Sequence, residues 1–224
     1  MVQPPCDSVP DHSPWFRRII PSVARFLLVL LTRYEVRGVE NIPREGRALL
    51  ASNHLGHLDP ILGVGVVPRS CEVIGLVDLY DVVGTGQVMR WYGAIPVHRD
   101  EFDRDVIRRA LGVLDCERML WVAPEARMSE TGALVKARDG VAWLAARSGA
   151  PVVPVAITGT EKVYDGWRRF RRPRVTITFG EPLVLEMPAH GGRGARAAAI
   201  EANTETIMRA IAALLPPTYR GVYG

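Results

Sequence analysis

The sequence predicts an α/β fold: a single mixed, mostly parallel sheet flanked by helices, with an amphipathic helix at the N-terminal end. Three observations predict it. Short apolar runs alternate along the chain with stretches whose apolar residues recur at helical spacing, and strands separated by helices make a sheet covered on both faces. The hydrophobic share is 48% against 23% charged, an ordinary globular balance. At 224 residues the chain suits one domain with a real core, and it contains no internal repeat.

Residues 1–14 are rich in proline and polar groups and are expected to be disordered. The next stretch, 15–33, carries Arg17, Arg18, Arg25 and Arg33, no acidic residue, and is otherwise largely apolar. It is expected to be an amphipathic helix at a membrane interface, with arginines on phosphates and Phe26, Leu27, Leu30 and Leu31 toward acyl chains. A terminal helix packed on the domain fits the same composition. Pro21 would sit best near a helix start. The α/β domain is expected over 34–224.

Within it, Tyr34–Gly38 and Arg47–Ser52 read as strands, and Asp59–Val67 as a helix. Cys71–Gly75 is a short apolar strand, Thr85–Tyr92 a helix and Ala94–Val97 a strand. Across Asp103–Glu117, Val106, Ile107, Ala110, Leu111 and Leu114 fall on one helical face. Met119–Val122 is a strand, followed by an Ala-rich helix over Arg138–Arg147 that Gly149-Ala150-Pro151 ends. Val152–Ile157 and Val175–Phe179 read as strands, and Arg193–Leu214 as a terminal helix.

A net charge of +4 is only mildly basic and favours anionic ligands or surfaces; no nucleic-acid-binding motif accompanies it. Cys6, Cys71 and Cys116 form no CxxC pair, and reduced thiols in a cytoplasmic compartment are the simpler expectation. The apolar run Phe26–Leu31 is far short of the roughly 20 residues a membrane-crossing helix needs. Pro4, Pro5, Asp7 and Pro10 before it fit a cleaved signal peptide poorly, so the chain is expected to stay on the side where it is made.

Four stretches carry chemistry. In Asn53-His54-Leu55-Gly56-His57-Leu58-Asp59-Pro60, a buried strand ends in polar residues just before a helix, where open α/β sheets place ligand sites. A neutral imidazole can take a proton from an alcohol at cellular pH, and a carboxylate on its other nitrogen fixes the tautomer. His54 and Asp59 fit that pair, and they fit equally a structural histidine with a helix-cap aspartate. A metal site is not expected, because Leu55 and Pro60 stand where a zinc hydrolase's tighter ligand run would need donors.

In the second, Gly93–Arg99, a strand delivers Arg99 to its end, where a guanidinium binds phosphate or pairs with Asp100 or Asp103. In the third, Pro124–Gly132, Glu125 and Arg127 sit on a loop after a strand. Glu125 suits an acceptor hydroxyl or the orientation of an arginine, Arg127 suits a phosphate, and a loop salt bridge fits both. The fourth, Gly149–Gly159, is a strand with constrained ends. Separately, the arginines interleaved with aromatics in Trp167–Arg174 fit an anionic lipid surface or a solvated hairpin.

In this order, the four stretches resemble motifs I to IV of the glycerolipid and lysophospholipid acyltransferases, the 1-acylglycerol-3-phosphate acyltransferase-like family with its HxxxxD motif. The likeness covers about residues 35–185. It implies an O-acyltransferase that moves a fatty acyl group from a thioester to the hydroxyl of a lysophospholipid or glycerol phosphate. His54 would be the general base and Asp59 its partner. Arg99, Glu125 and Arg127 would bind the acceptor phosphate, and Pro154 would shape the strand beside the acyl site. No cofactor is implied; acyl-CoA or acyl carrier protein would be the co-substrate. An anionic membrane surface would be a partner, with the protein peripheral on the cytoplasmic face of the cell membrane.

Motif III departs from the commonest pattern, Pro-Glu-Gly-Thr-Arg-Ser. Ala126 replaces Gly, and the arginine comes one residue early, at Arg127, with Met128 in its usual place. A Pro-Glu-Gly-Arg variant occurs in acyltransferases acting on lysophospholipids such as glycerophosphoethanolamine derivatives, and Thr131–Lys136 with Asp139-Gly140 is similar to that branch. If the loop needs positive φ at 126, alanine is disfavoured there. A thioesterase or lipid hydrolase using the same dyad on water, and a non-catalytic lipid-binding homologue, are the rival readings.

Overall fold

The computed structural model describes residues 14–56, 58–82, 84–98, 104–187 and 192–224. Arg99, His57 and all but the last residue of the expected N-terminal tail lie outside them. A seven-stranded sheet runs in the order β1-β7-β6-β2-β5-β3-β4. Its strands are β1 Arg33–Arg37, β2 Ala48–Ser52, β3 Cys71–Leu76, β4 Ile95–Val97, β5 Met119–Val122, β6 Val152–Thr158 and β7 Arg174–Phe179. All neighbours pair in parallel except β6 with β7, so the sheet is mixed and mostly parallel, as expected.

The strands are short apolar runs because both faces are covered. Every residue of β2 is buried, as is β6 up to its last position. Alternate residues enter two cores. Leu49, Ala51, Leu120, Val152 and Ala156 pack under α4 Arg104–Asp115, α5 Gly140–Ser148 and α7 Arg193–Leu214. Leu50, Trp121, Val153, Val155 and Ile157 pack on the opposite face, with Phe16 and Val64 of α1 Pro14–Leu31 and α2 Asp59–Val66. The remaining helices are α3 Thr85–Tyr92 and α6 Val163–Arg168.

Helix α1 is both packed and exposed. Phe16, Ala24 and Leu28, at four- and eight-residue spacing, are buried, while Trp15, Ile19, Val23, Phe26 and Leu30 form an apolar stripe in solvent. Leu31, expected to face lipid, is half-buried. Pro21 lies inside the helix and not at its start. The first two turns form regardless, because Phe16 enters the core and Arg17 is held by Glu72. Close approach of α1 to α2 needs a glycine: a Cβ at Gly65 would lie 3.0 Å from the Ala24 Cβ and the Arg25 nitrogen. A Cβ at Gly63 would lie 2.4 Å from the Trp121 ring, so α2 seats on the sheet through a second glycine.

No helix among the described residues is long and apolar enough to cross a membrane. Cys71 is a free thiol sealed in the core, and burial pushes its pKa far above the ordinary range. Cys71 thus keeps the expected reduced thiol, whereas Cys116 is disulfide-bonded, which corrects the expectation at that position alone.

Candidate active site

Strands β2, β5, β3 and β4 are parallel, so the segments that follow them emerge at one edge of the sheet. The segment after β2 is fastened first. Asn53 is buried, and its carboxamide donates to the Ile157 carbonyl at 2.9 Å while accepting from the Ile157 N–H at 2.7 Å. It thereby adds one side-chain rung to the β2–β6 ladder. Ser52 Oγ accepts from the Trp121 indole at 2.7 Å, tying the same strand end to β5. An asparagine between a buried strand and a histidine was the available signal for this strap, but its partner lies 104 residues away.

The chain then turns so that the first residue of α2 faces back onto His54. Asp59 is 1% exposed, and its Oδ2 lies 2.9 Å from His54 Nδ1. The same oxygen accepts from the Leu55 N–H at 2.6 Å and the Gly56 N–H at 2.8 Å. Three donors converging on one carboxylate oxygen lock the loop and the ring together. With Nδ1–H donating to Asp59, Nε2 is the nitrogen left to take a proton. The His54 side chain is 21% exposed, so it is partly sheltered and still reachable.

Strand β5 pairs directly with β2, and the loop after it wraps the histidine. Glu125 is 2% exposed; its Oε2 accepts from the His54 backbone N–H at 3.1 Å and its Oε1 from the Val135 N–H at 2.7 Å. Ser129 N–H donates to the His54 carbonyl at 2.8 Å. The family resemblance implies Glu125 at the acceptor phosphate; in the structure both its oxygens hold backbone, and it clamps the two loops to each other. Ser52, Asn53, Trp121 and Ser129 were not singled out from sequence.

Arg127 is exposed two residues before Ser129. Strand β4 ends at the same edge as β2 but three strands away, about 14 Å by ordinary strand spacing. Pro154 is buried in β6, opposite Ala51 of β2. Its carbonyl accepts from the Gly180 N–H at 2.8 Å, so the missing proline N–H faces a bend between β7 and the Val152–Leu183 bridge, where no ladder bond is needed. A cleft of about 380 Å³ opens beside the β5 loop, lined by Ser129, Thr131, Glu161 and Tyr219 among others.

Two predictions arise here. Ala126 has φ of 53°, the left-handed conformation the sequence raised as a conflict. Ala126→Gly is expected to stabilise the fold by about 1 kcal/mol, read as a higher denaturation midpoint; an unchanged or lower midpoint would refute the strain. The second concerns Glu125, whose pKa burial raises above the ordinary range against the pull of the Val135 and His54 N–H groups and the His54 and Arg127 charges. The folded chain thus holds this proton more tightly than the unfolded one. Stability from the residue is fullest below the ordinary glutamate range and is lost as pH rises through the raised folded value. From about pH 4 upward, the melting-temperature difference between wild type and Glu125→Gln should move against wild type; a difference independent of pH would contradict it.

Comparison with known proteins agrees with this architecture. A family profile described as Acyltransferase matches residues 33–158. The human 1-acyl-sn-glycerol-3-phosphate acyltransferase beta is 26% identical over 186 residues, covering 80% of this chain and 63% of that protein. A chloroplast 1-acyl-sn-glycerol-3-phosphate acyltransferase of Brassica napus is 27% identical over 134 residues, 58% of this chain and 38% of its own length. The chain therefore spans less than two thirds of these relatives. The crystal structure of the 1-acyl-sn-glycerophosphate acyltransferase of Thermotoga maritima superposes with a TM-score of 0.64 at 23% identity, over 85% of this chain and 78% of that one, and shares its fold. With the profile matched over more than half its length, this chain belongs to the Acyltransferase family.

Proposed function

We propose that the chain transfers a fatty acyl group from an acyl thioester to the free hydroxyl of a lysophospholipid or glycerol phosphate. The observation that carries the reading is the 2.9 Å contact between His54 Nδ1 and the buried Asp59 carboxylate, at a strand end among polar loops. An alcohol is a poor nucleophile while it keeps its proton, and an imidazole so oriented removes it as the oxygen attacks the thioester carbonyl. A new C–O bond forms, the C–S bond breaks, and the proton passes from His54 to the departing thiolate. Asp59 holds the ring and stabilises its charged form.

Arg127, exposed on the loop that wraps His54, is the proposed phosphate holder, with Arg99 as a second guanidinium. Glu125 acts one step back, by fixing the backbone on either side of the histidine. Residues 34–224 form the catalytic domain. Acyl-CoA or acyl carrier protein is the donor, and the apolar stripe of α1 rests peripherally on a membrane that supplies the acceptor.

Mass spectrometry of the purified chain with acyl-CoA and a panel of lysophospholipids tests the reading. The expected result is an acylated lipid and a stoichiometric free thiol, both dependent on acceptor. Free fatty acid released at the same rate without acceptor would make the protein a hydrolase. Thioester left intact with every acceptor and donor would make it a binding protein.

A further inference from the structure

Helix α6 ends in a turn that breaks a local rule. Arg171 N–H donates to the Gly166 carbonyl at 2.8 Å and Phe170 N–H to the Trp167 carbonyl at 3.0 Å, the pattern of a Schellman cap. The left-handed position of that cap ordinarily belongs to glycine or asparagine. Here it is Phe170, with φ of 52° and a side chain 100% exposed. The fold gains no contact from the ring and bears the cost of a left-handed aromatic residue. Such an outlier points outside the fold.

Its surroundings say what it faces. Arg168, Arg169 and Arg171 flank Phe170 in the chain and are exposed, and Asp165 is the one acidic residue between 163 and 174. Tyr164, half exposed, stands edge-on to Trp167. The turn is also bolted to the end of α1. The Trp167 indole donates to the Leu31 carbonyl at 3.3 Å, and the Arg172 guanidinium donates to the Thr32 carbonyl at 2.7 Å and to that of Val29. Val29 and Leu31 lie in the last turn of α1 and Thr32 just past it, and Phe26, Val29 and Leu30 of that helix lie in solvent.

We propose that Phe170 and its arginines form a second membrane anchor, inserting the ring among the acyl chains of an anionic bilayer while the guanidiniums hold lipid phosphates. This deepens the membrane reading of α1. An apolar tip inside a basic collar, rigidly joined to an apolar helix face, matches an anionic bilayer in charge and in layering. One helix alone leaves the domain free to roll about its axis. A second contact off that axis fixes the tilt of the sheet against the surface.

Co-sedimentation of the full chain with phosphatidylcholine vesicles, with and without phosphatidylglycerol, tests this. Phe170→Gly should bind anionic vesicles about tenfold more weakly than wild type while melting no lower, since glycine suits the left-handed position. Phe170→Trp should gain fluorescence that brominated acyl chains quench. The Phe26→Asp, Leu30→Asp double variant reads α1 separately. If it loses binding while Phe170→Gly binds like wild type, the second anchor is overturned and the α1 reading stands. If Phe170→Gly loses binding while the double variant keeps it, the α1 reading fails and the anchor stands. Loss on neutralising Arg168, Arg169 and Arg171 alone, with both Phe170 variants behaving as wild type, would mark a general polyanion patch and overturn insertion.

Discussion

Replacing His54 by alanine is expected to lower acyl-transfer turnover by about 10²–10⁴-fold, the contribution of a positioned general base. The fold should survive, because Asp59 keeps the Leu55 and Gly56 N–H donors on Oδ2 and Glu125 still receives the residue-54 backbone N–H. A melting curve close to wild type with this loss of turnover supports the base. Turnover within a few-fold of wild type would remove His54 from the chemistry.

Asp59 behaves differently. From sequence alone its alanine variant is expected to fold normally. In the structure, removing the carboxylate strands two loop N–H groups as well as the imidazole. Asp59→Ala should therefore lose stability, by about 2–3 kcal/mol, together with turnover. The separation of the two variants in thermal melts distinguishes a carboxylate that also builds the loop from one that only tunes the base.

A loss of stability of about 2–3 kcal/mol is likewise expected for Arg17→Ala. Glu72 is 2% exposed, and its two oxygens are bound by the Arg17 guanidinium, one at 2.6 Å; Arg17 Nε also donates to the Tyr92 carbonyl at 3.0 Å. Truncating the arginine leaves a carboxylate in the core, a change that ordinarily costs about 3–5 kcal/mol. Arg118, 3.5 Å away, offsets part of this. The double variant Arg17→Met, Glu72→Leu should recover most of the loss, since a buried ion pair repays little beyond its own desolvation. Denaturant titration of the three proteins checks this; a double variant as weak as Arg17→Ala would mean that the arginine acts through packing alone. Because Arg17 and Phe16 seat the first turns of α1, the single variant should also loosen that helix.

The elements were legible because their signals are local. Helical spacing over Val106–Leu114, the Gly149-Ala150-Pro151 stop and the apolar β2 and β6 runs each act within a few residues, and the corresponding helices and strands form there. The His54–Asp59 contact was legible for the same reason: five residues across a turn into a helix leave few ways for the chain to go. Pro21 misled, because a proline's preference for a helix start is weaker than the burial of Phe16 and the ion pair of Arg17.

Glu125 shows where local reading stops. Its residue type and loop position suit an acceptor hydroxyl or an arginine, and the family resemblance puts it at the acceptor phosphate. Only the pairing of β2 with β5 puts its carboxylate under the His54 backbone, 71 positions away. Asn53 on Ile157 depends in the same way on β6 lying on the other side of β2. Composition and periodicity thus marked the seven strands and every α-helix but α6, and motif spacing put His54 within reach of Asp59 while leaving the role of the pair open. Strand order settled what clamps that pair, which side of α1 is buried and which apolar groups reach solvent. Strand order comes from covering both sheet faces at once, a requirement of the whole chain that no short window of residues contains.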